Sequence, residues 1–312
     1  MAHLVKLEDY ISRYEVDIQR YPSQLTRLKR RRWTRLQKSW IEVNQSVDHD
    51  FHEEEDWFAD ANKSLFRRAF ERVYKRKTSS VQVVNLRDQH LIGKSRESLR
   101  AFFYYEWLQT QLKWASSSLS EESALDSKYR YDSRLREILQ VFPDNYMVFY
   151  YPIFKIQKAD IQLDVLLLSP SDIYCVTFIE TPLHTLLEVG SKRFWGECRG
   201  ESERKRLNPL LSVNRMEDVV RSVLKSNDLS FSTKRVILAP DAIIDDIHYA
   251  HNVTMVDQRN YKQWIDQVRR HSSPMKKRQF QVADVLLRQG KTKAYKRIRE
   301  VDNRLIDKEY ID

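Results

Sequence analysis

The chain has 312 residues, 41% hydrophobic and 31% charged, with only 5 glycines, a balance that suits a helix-rich globular protein of one to three folding units. No run is long enough for a membrane-spanning helix, the leading MAHLVKLEDYISRYE reads as no secretion signal, and 2 cysteines make no disulfide framework, so a reducing cytoplasm is the expected setting. The net charge of +10 is uneven: residues 1–118 hold 22 Lys/Arg against 16 Asp/Glu and residues 274–312 hold 11 against 6, while the segment between is near neutral at 21 against 22.

Such a balance favours anionic partners, nucleic acid first and a membrane surface second, although a merely solvated basic surface is the commoner cause. Leu4, Leu7, Ile11, Tyr14, Ile18 and Tyr21 alternate at spacings of three and four, which predicts a first helix ended by Pro22. A second helix is expected from about Ser23, carrying RLKRRRWTRLQK with seven cations between Arg27 and Lys38. The acidic FHEEEDWF (51–58) is positioned to answer that face, and a basic amphipathic piece, LFRRAFERVYKRK (65–77), follows. VQVVNL (81–86) reads as a short strand and residues 95–115 as an aromatic-rich helix that suits a core or a protein interface.

The serine cluster at 116–123 is expected to be a linker or a fresh helix start, since Ser118 and Glu121 have capping-box spacing. Beyond it the pattern changes. One helix is predicted over 128–142, with Tyr131, Leu135, Ile138, Leu139 and Phe142 on one face. Strands are predicted at 146–154, 162–168 and 172–179, then a helix begun by Asn208 as cap and Pro209 in its first turn. Two short strands (233–240 and 252–257), a helix (261–271) and a basic helical tail complete the series. The fold class is therefore α/β, a central mixed sheet sandwiched by helices, with a basic, mostly helical region at 1–118, an α/β domain at 119–273 and the tail at 274–312.

The motif order over about half the chain resembles the nuclease-related domain family, a branch of the PD-(D/E)XK nucleases, whose fold is restriction-endonuclease-like, and a bacterial source is expected for this protein. QLDVLLL is similar to the family strand that supplies an acidic metal ligand, here Asp164; DIYCVTF is similar to the next strand, and NPLLSVNRMEDVV to the family's NPxxQ helix. Asp132 takes the place of the glutamate on the leading helix. The resemblance implies Mg²⁺ held by Asp132 and Asp164, a second acid thirteen residues after Asp164, and a lysine two residues beyond that acid. Carboxylates hold the ion that activates water, and the cation stabilises charge in the transition state.

Those positions are Thr177 and Ile179, and the helix glutamine is Ser212. Neutral side chains cannot do that chemistry, so the centre reads as degenerate and Mg²⁺ as a cofactor the altered positions argue against. A protein of this kind is expected to bind nucleic acid, or a protein partner in DNA processing, through Lys29, Arg30, Arg31, Arg32, Arg67 and Arg68. A second reading keeps an active Mg²⁺-dependent nuclease with catalytic Asp164, Glu180 and Lys192, the last two having migrated into the role. A third is a scaffold whose basic helix docks on anionic membrane. Against all three stand the ordinary roles: Asp164 as the polar beginning of a strand, Asp132 as a helix-surface acid, and Asn208 as a cap.

Overall fold

A computed structural model describes residues 1–44, 91, 93–190, 193–270 and 273–296. The expected acidic stretch at 51–58, the basic piece holding Arg67 and Arg68, the strand at 81–86 and Lys192 lie outside the described residues. The chain divides into two compact units, Met1–Ser23 with Leu108–Asp312, and Gln24–Trp107. Those units follow neither of the expected boundaries at 118 and 273.

In chain order the elements are β1 (His3–Leu7), α1 (Tyr21–Asn44), α2 (Arg96–Trp114), β2 (Glu121–Glu122), α3 (Lys128–Tyr131), α4 (Ser133–Val141), β3 (Met147–Tyr150), β4 (Ile153–Ile156), β5 (Ala159–Gln162), β6 (Val165–Leu168) and β7 (Asp172–Phe178). There follow β8 (Thr185–Glu188), β9 (Phe194–Arg199), β10 (Ser202–Leu207), α5 (Pro209–Lys225), β11 (Ser232–Ala239), β12 (Ala242–Ile244), β13 (Val253–Asp257), α6 (Tyr261–Arg269), α7 (Lys277–Gln289) and β14 (Tyr295–Lys296).

The first unit is built on a six-stranded mixed sheet in the order β1-β3-β6-β7-β11-β13. β3, β6 and β7 form an antiparallel meander, and β11 joins β7 in parallel after the α5 crossover. Every residue of β3 and β6 is buried, which explains why both read as unbroken apolar runs and not as alternating ones. One core gathers Leu135, Ile138 and Leu139 of α4 with Val148, Val165, Val176 and Val236 of the sheet and Trp264 of α6. Helix α5 packs against β7 and β11. A smaller four-stranded sheet has the order β10-β9-β8-β12.

Three expectations change here. The predicted first helix is instead the edge strand β1 followed by a short 3₁₀ turn at Arg13–Glu15, and Pro22 lies in the first turn of α1, where its missing N–H costs nothing. All five residues of β1 are buried, including Val5 and Lys6, which lie off the helical stripe. The predicted helix over 128–142 breaks at Asp132, whose extended backbone lets its carboxylate cap α4. The serine stretch at 116–118 is buried, not a linker, and Ser118 and Glu121 close a turn.

The expected basic tail is integral to the unit: Val282, Ala283, Leu286 and Leu287 of α7 are buried, and Gln279 donates to the backbone carbonyls of Asn145 and Leu168. After α7 the chain runs beside the amino-terminal segment. Lys293 N donates to Asp9 O at 2.7 Å, and Ser123 Oγ donates to Lys293 O at 2.6 Å. Lys6, wholly buried, donates to Glu15 at 2.6 Å and to Thr292 at 2.8 Å, and burial pulls its pKa down despite Glu15.

In the second unit, Leu25, Lys29 and Trp33 of α1 recur every fourth residue and are buried, as are Leu99, Phe103 and Trp107 of α2. Trp33 and Phe103 meet with ring centroids 5.0 Å apart. Trp40 Nε1 donates to Lys94 O at 2.8 Å, and Asn44 exchanges hydrogen bonds with Leu91 and Gly93.

Candidate functional site

The meander and the crossover helix bring three chain segments to one point. Asp164 immediately precedes β6, and Thr177 is the next residue opposite it on β7, continuing the ladder that pairs Val165 with Val176. Strand alternation turns Asp164 and Thr177 to the same face, the one that α5 covers. Ser212 is in the first turn of α5, where Asn208 Oδ1 caps Leu210 N at 2.9 Å. The result is a carboxylate held by two hydroxyls: Thr177 Oγ1 donates to Asp164 Oδ2 at 2.7 Å, and Ser212 Oγ donates to the same oxygen at 2.9 Å.

The other expected site residues are disposed differently. Asp132 spends both oxygens on structure, Oδ1 accepting from Leu135 N and Oδ2 from Tyr150 Oη, each at 2.9 Å. Glu180 is exposed and turned to Arg134, at 3.6 Å, rather than to Asp164. Ile179, at the position where the nuclease resemblance expects a lysine, is buried. Among the described residues no three His, Cys, Asp or Glu side chains gather as a metal-holding group. These residues fit a Mg²⁺ centre poorly: Asp132 spends both oxygens on Leu135 N and Tyr150 Oη, Thr177 stands where the resemblance expects the second acid, and only Asp164 Oδ1 is left to a metal.

Asp164 opens onto a cleft of about 430 Å³. Its walls include Glu8, Lys128, Tyr129 and Tyr151, with Arg215 one turn beyond Ser212 on α5. Tyr129 Oη donates to Glu8 Oε1. Burial raises the pKa of Tyr151, and the negative charges of Glu180, Asp164 and Asp132 add to that shift. Two wall residues carry backbone strain: Glu8 has φ 43° and Tyr151 φ 49°. They directly follow Leu7 and Tyr150, which are paired across the parallel strands β1 and β3. A non-glycine residue in this left-handed region costs on the order of 1 kcal/mol.

Sequence reasoning missed Glu8, Tyr151 and Arg215. Glu8 was hidden inside a predicted helix. Pro152 signalled the break that leaves Tyr151 between β3 and β4, and Arg215 could have been found from its spacing three residues after Ser212.

The cations of α1 form a separate group in the second unit. Lys29, expected to bind nucleic acid, belongs to the buried row and cannot present its amine to a phosphate. Arg30, Arg31 and Arg32 are exposed, and Arg32 lies over the Trp107 ring at 5.9 Å. Arg27, Arg31 and Arg35, at four-residue spacing, are exposed on the side away from Leu25, Lys29 and Trp33. Among the described residues these three make no ion pair.

Comparison of the chain with protein-family models, with curated proteins and with solved structures finds no match.

Proposed function

We propose that this protein binds nucleic acid on a nuclease-like scaffold and does not cut it. The observation that carries the reading is the meeting of Asp164, Thr177 and Ser212 at one carboxylate oxygen. The nuclease-related resemblance assigns these three positions to the first acid, the second acid and the helix glutamine of one catalytic centre. The order of helix, antiparallel meander, crossover helix and parallel strand supports the reading as well, being the order expected from the resemblance.

With Thr177 and Ile179 in place of an acid and a lysine, the centre has neither a second metal ligand nor a cation for the transition state. Binding is assigned to the arginine row on α1, because it is exposed and lacks acidic partners among the described residues. Phosphate contacts of this kind are insensitive to sequence and weaken steeply with salt.

The test pairs two measurements on the purified chain. Fluorescence anisotropy with labelled DNA and RNA is expected to show salt-sensitive binding. Incubation of the same strands with Mg²⁺ or Mn²⁺ is expected to leave them intact. Robust cleavage abolished by both Asp164→Ala and Glu180→Ala would overturn the reading in favour of an active, rewired nuclease. Binding to anionic vesicles but to no nucleic acid would overturn it in favour of a membrane-surface scaffold.

A further inference from the structure

The walls of the cleft carry both signs of charge. Asp164 Oδ1 and Glu8 Oε2 have no hydrogen-bond donor among the described residues, their sister oxygens being taken by Thr177 and Ser212 and by Tyr129, and Lys128 Nζ lies 3.7 Å from Glu8 Oε1. Arg215 lines the same cleft and makes no hydrogen bond or ion pair among the described residues. The half-buried ring of Tyr151 lines it as well. Two of the five non-glycine residues with positive φ among the described residues, Glu8 and Tyr151, line this one cleft.

A ligand that answers every wall needs a donor for the carboxylates, a flat ring for Tyr151 and an anion for Arg215. We infer that the cleft is a metal-independent site for a single nucleotide unit bearing an exocyclic amine. The amine donates to Asp164 and Glu8, the base lies against Tyr151 and the phosphate meets Arg215. A volume of about 430 Å³ is in the usual range for a small-ligand pocket. In this arrangement the acid that the nuclease resemblance reserves for a metal reads a base instead. The choice of ligand rests on the nucleic-acid reading above, whereas the geometry rests on the cleft alone.

Calorimetry of the full chain in EDTA, with AMP, CMP, UMP and inorganic phosphate as probes, tests the site. AMP and CMP are expected to bind, and UMP and phosphate to bind about tenfold more weakly or worse, since uracil sets carbonyls where the amine would be. Arg215→Ala, at an exposed position without partners among the described residues, is expected to lower AMP affinity about tenfold with no change in melting temperature. Glu8→Gln serves as the second variant, because Asp164 also holds the structure together. Competition by an oligonucleotide with a 5′-phosphorylated terminal adenosine assigns the site to strand ends, and absence of competition assigns it to free nucleotides. Equal affinity for UMP, indifference to Arg215→Ala, or no heat with any mononucleotide overturns the inference. Reversing the α1 arginines is expected to abolish binding of long strands and leave AMP untouched, so failure of the scaffold reading and failure of this site are told apart.

Discussion

Asp164 and the arginines of α1 handle charge in opposite ways. The Asp164 carboxylate is half-buried and held by neutral hydroxyls from two other segments, so its charge is contained within the first unit. Arg27, Arg31 and Arg35 stand on an exposed helix face and make no ion pair among the described residues, so their charge is displayed to solvent. A contained charge contributes to folding through its hydrogen bonds. A displayed one contributes to long-range attraction and little to stability. The contrast teaches that a motif acid and a basic run, both conspicuous in the sequence, are separated in meaning by what surrounds them.

The sharpest way to break this comparison is to reverse the displayed charge. Arg27, Arg31 and Arg35 replaced by Glu are expected to weaken binding of long nucleic acid about 100-fold or more at low salt, and to flatten the slope of log K against log salt by about three. Anisotropy titrations over a salt series check this, and circular dichroism should show the fold unchanged. An unaltered slope would remove α1 from the binding surface.

The contained charge is tested by taking away its donors. Thr177→Val with Ser212→Ala is expected to cost about 2–3 kcal/mol in urea unfolding, because a half-buried carboxylate loses both hydroxyls. The two single substitutions should each cost about 1 kcal/mol and fail to add, since both act on one oxygen. Strict additivity would mean that water replaces the hydroxyls freely, and the carboxylate would then be no more contained than a surface acid.

Asn208→Ala should cost about 1 kcal/mol by removing the cap that sets the first turn of α5 and with it Ser212. A loss at Asn208 with no weakening of the Thr177–Ser212 coupling would show that the helix start is positioned by packing alone.

The smallest effect expected is one of pH. Burial opposes ionisation of Asp257, but hydrogen bonds from Arg259 and from the Ile244 and Arg259 N–H groups outweigh it and hold its pKa below the usual carboxylate value. A depressed folded pKa stabilises the protein above the unfolded value, and that contribution is lost as pH falls below about 4. Asp257→Asn should therefore flatten the acid limb of the melting-temperature profile. An unchanged limb would assign acid sensitivity to other carboxylates.

How much of this could be read in advance follows from the physics of each stretch. Asn208-Pro209 announced its helix, since a cap and a first-turn proline act locally. The central strands were legible because a sheet covered on both faces needs continuous apolar runs. β1 was not, because the spacing of Leu4 and Leu7 fits a helix stripe equally well and only the burial of Val5 and Lys6 decides. Asp132 was misread for a related reason: one hydrogen bond to Leu135 N breaks the helix that periodicity extended through it. Lys29 looked like its neighbouring cations, and nothing in RLKRRRW alone says that it shares a row with Leu25 and Trp33. The cleft was the least legible, being assembled from β1, β3 and α5 across more than two hundred residues of chain.

That same distance governs how the molecule comes into being. Strand β1 has no partner until β3 has been made, and Lys6 finds Thr292 only after nearly the whole described chain has left the ribosome. Contacts so remote in sequence slow folding and leave the apolar edge of β1 open to wrong pairings in the interval. A stop codon placed just before Lys291 would leave Lys6 without Thr292 and Asp9 without Lys293, so the nascent product should be held by chaperones or cleared by proteases rather than accumulate as a slightly shortened protein.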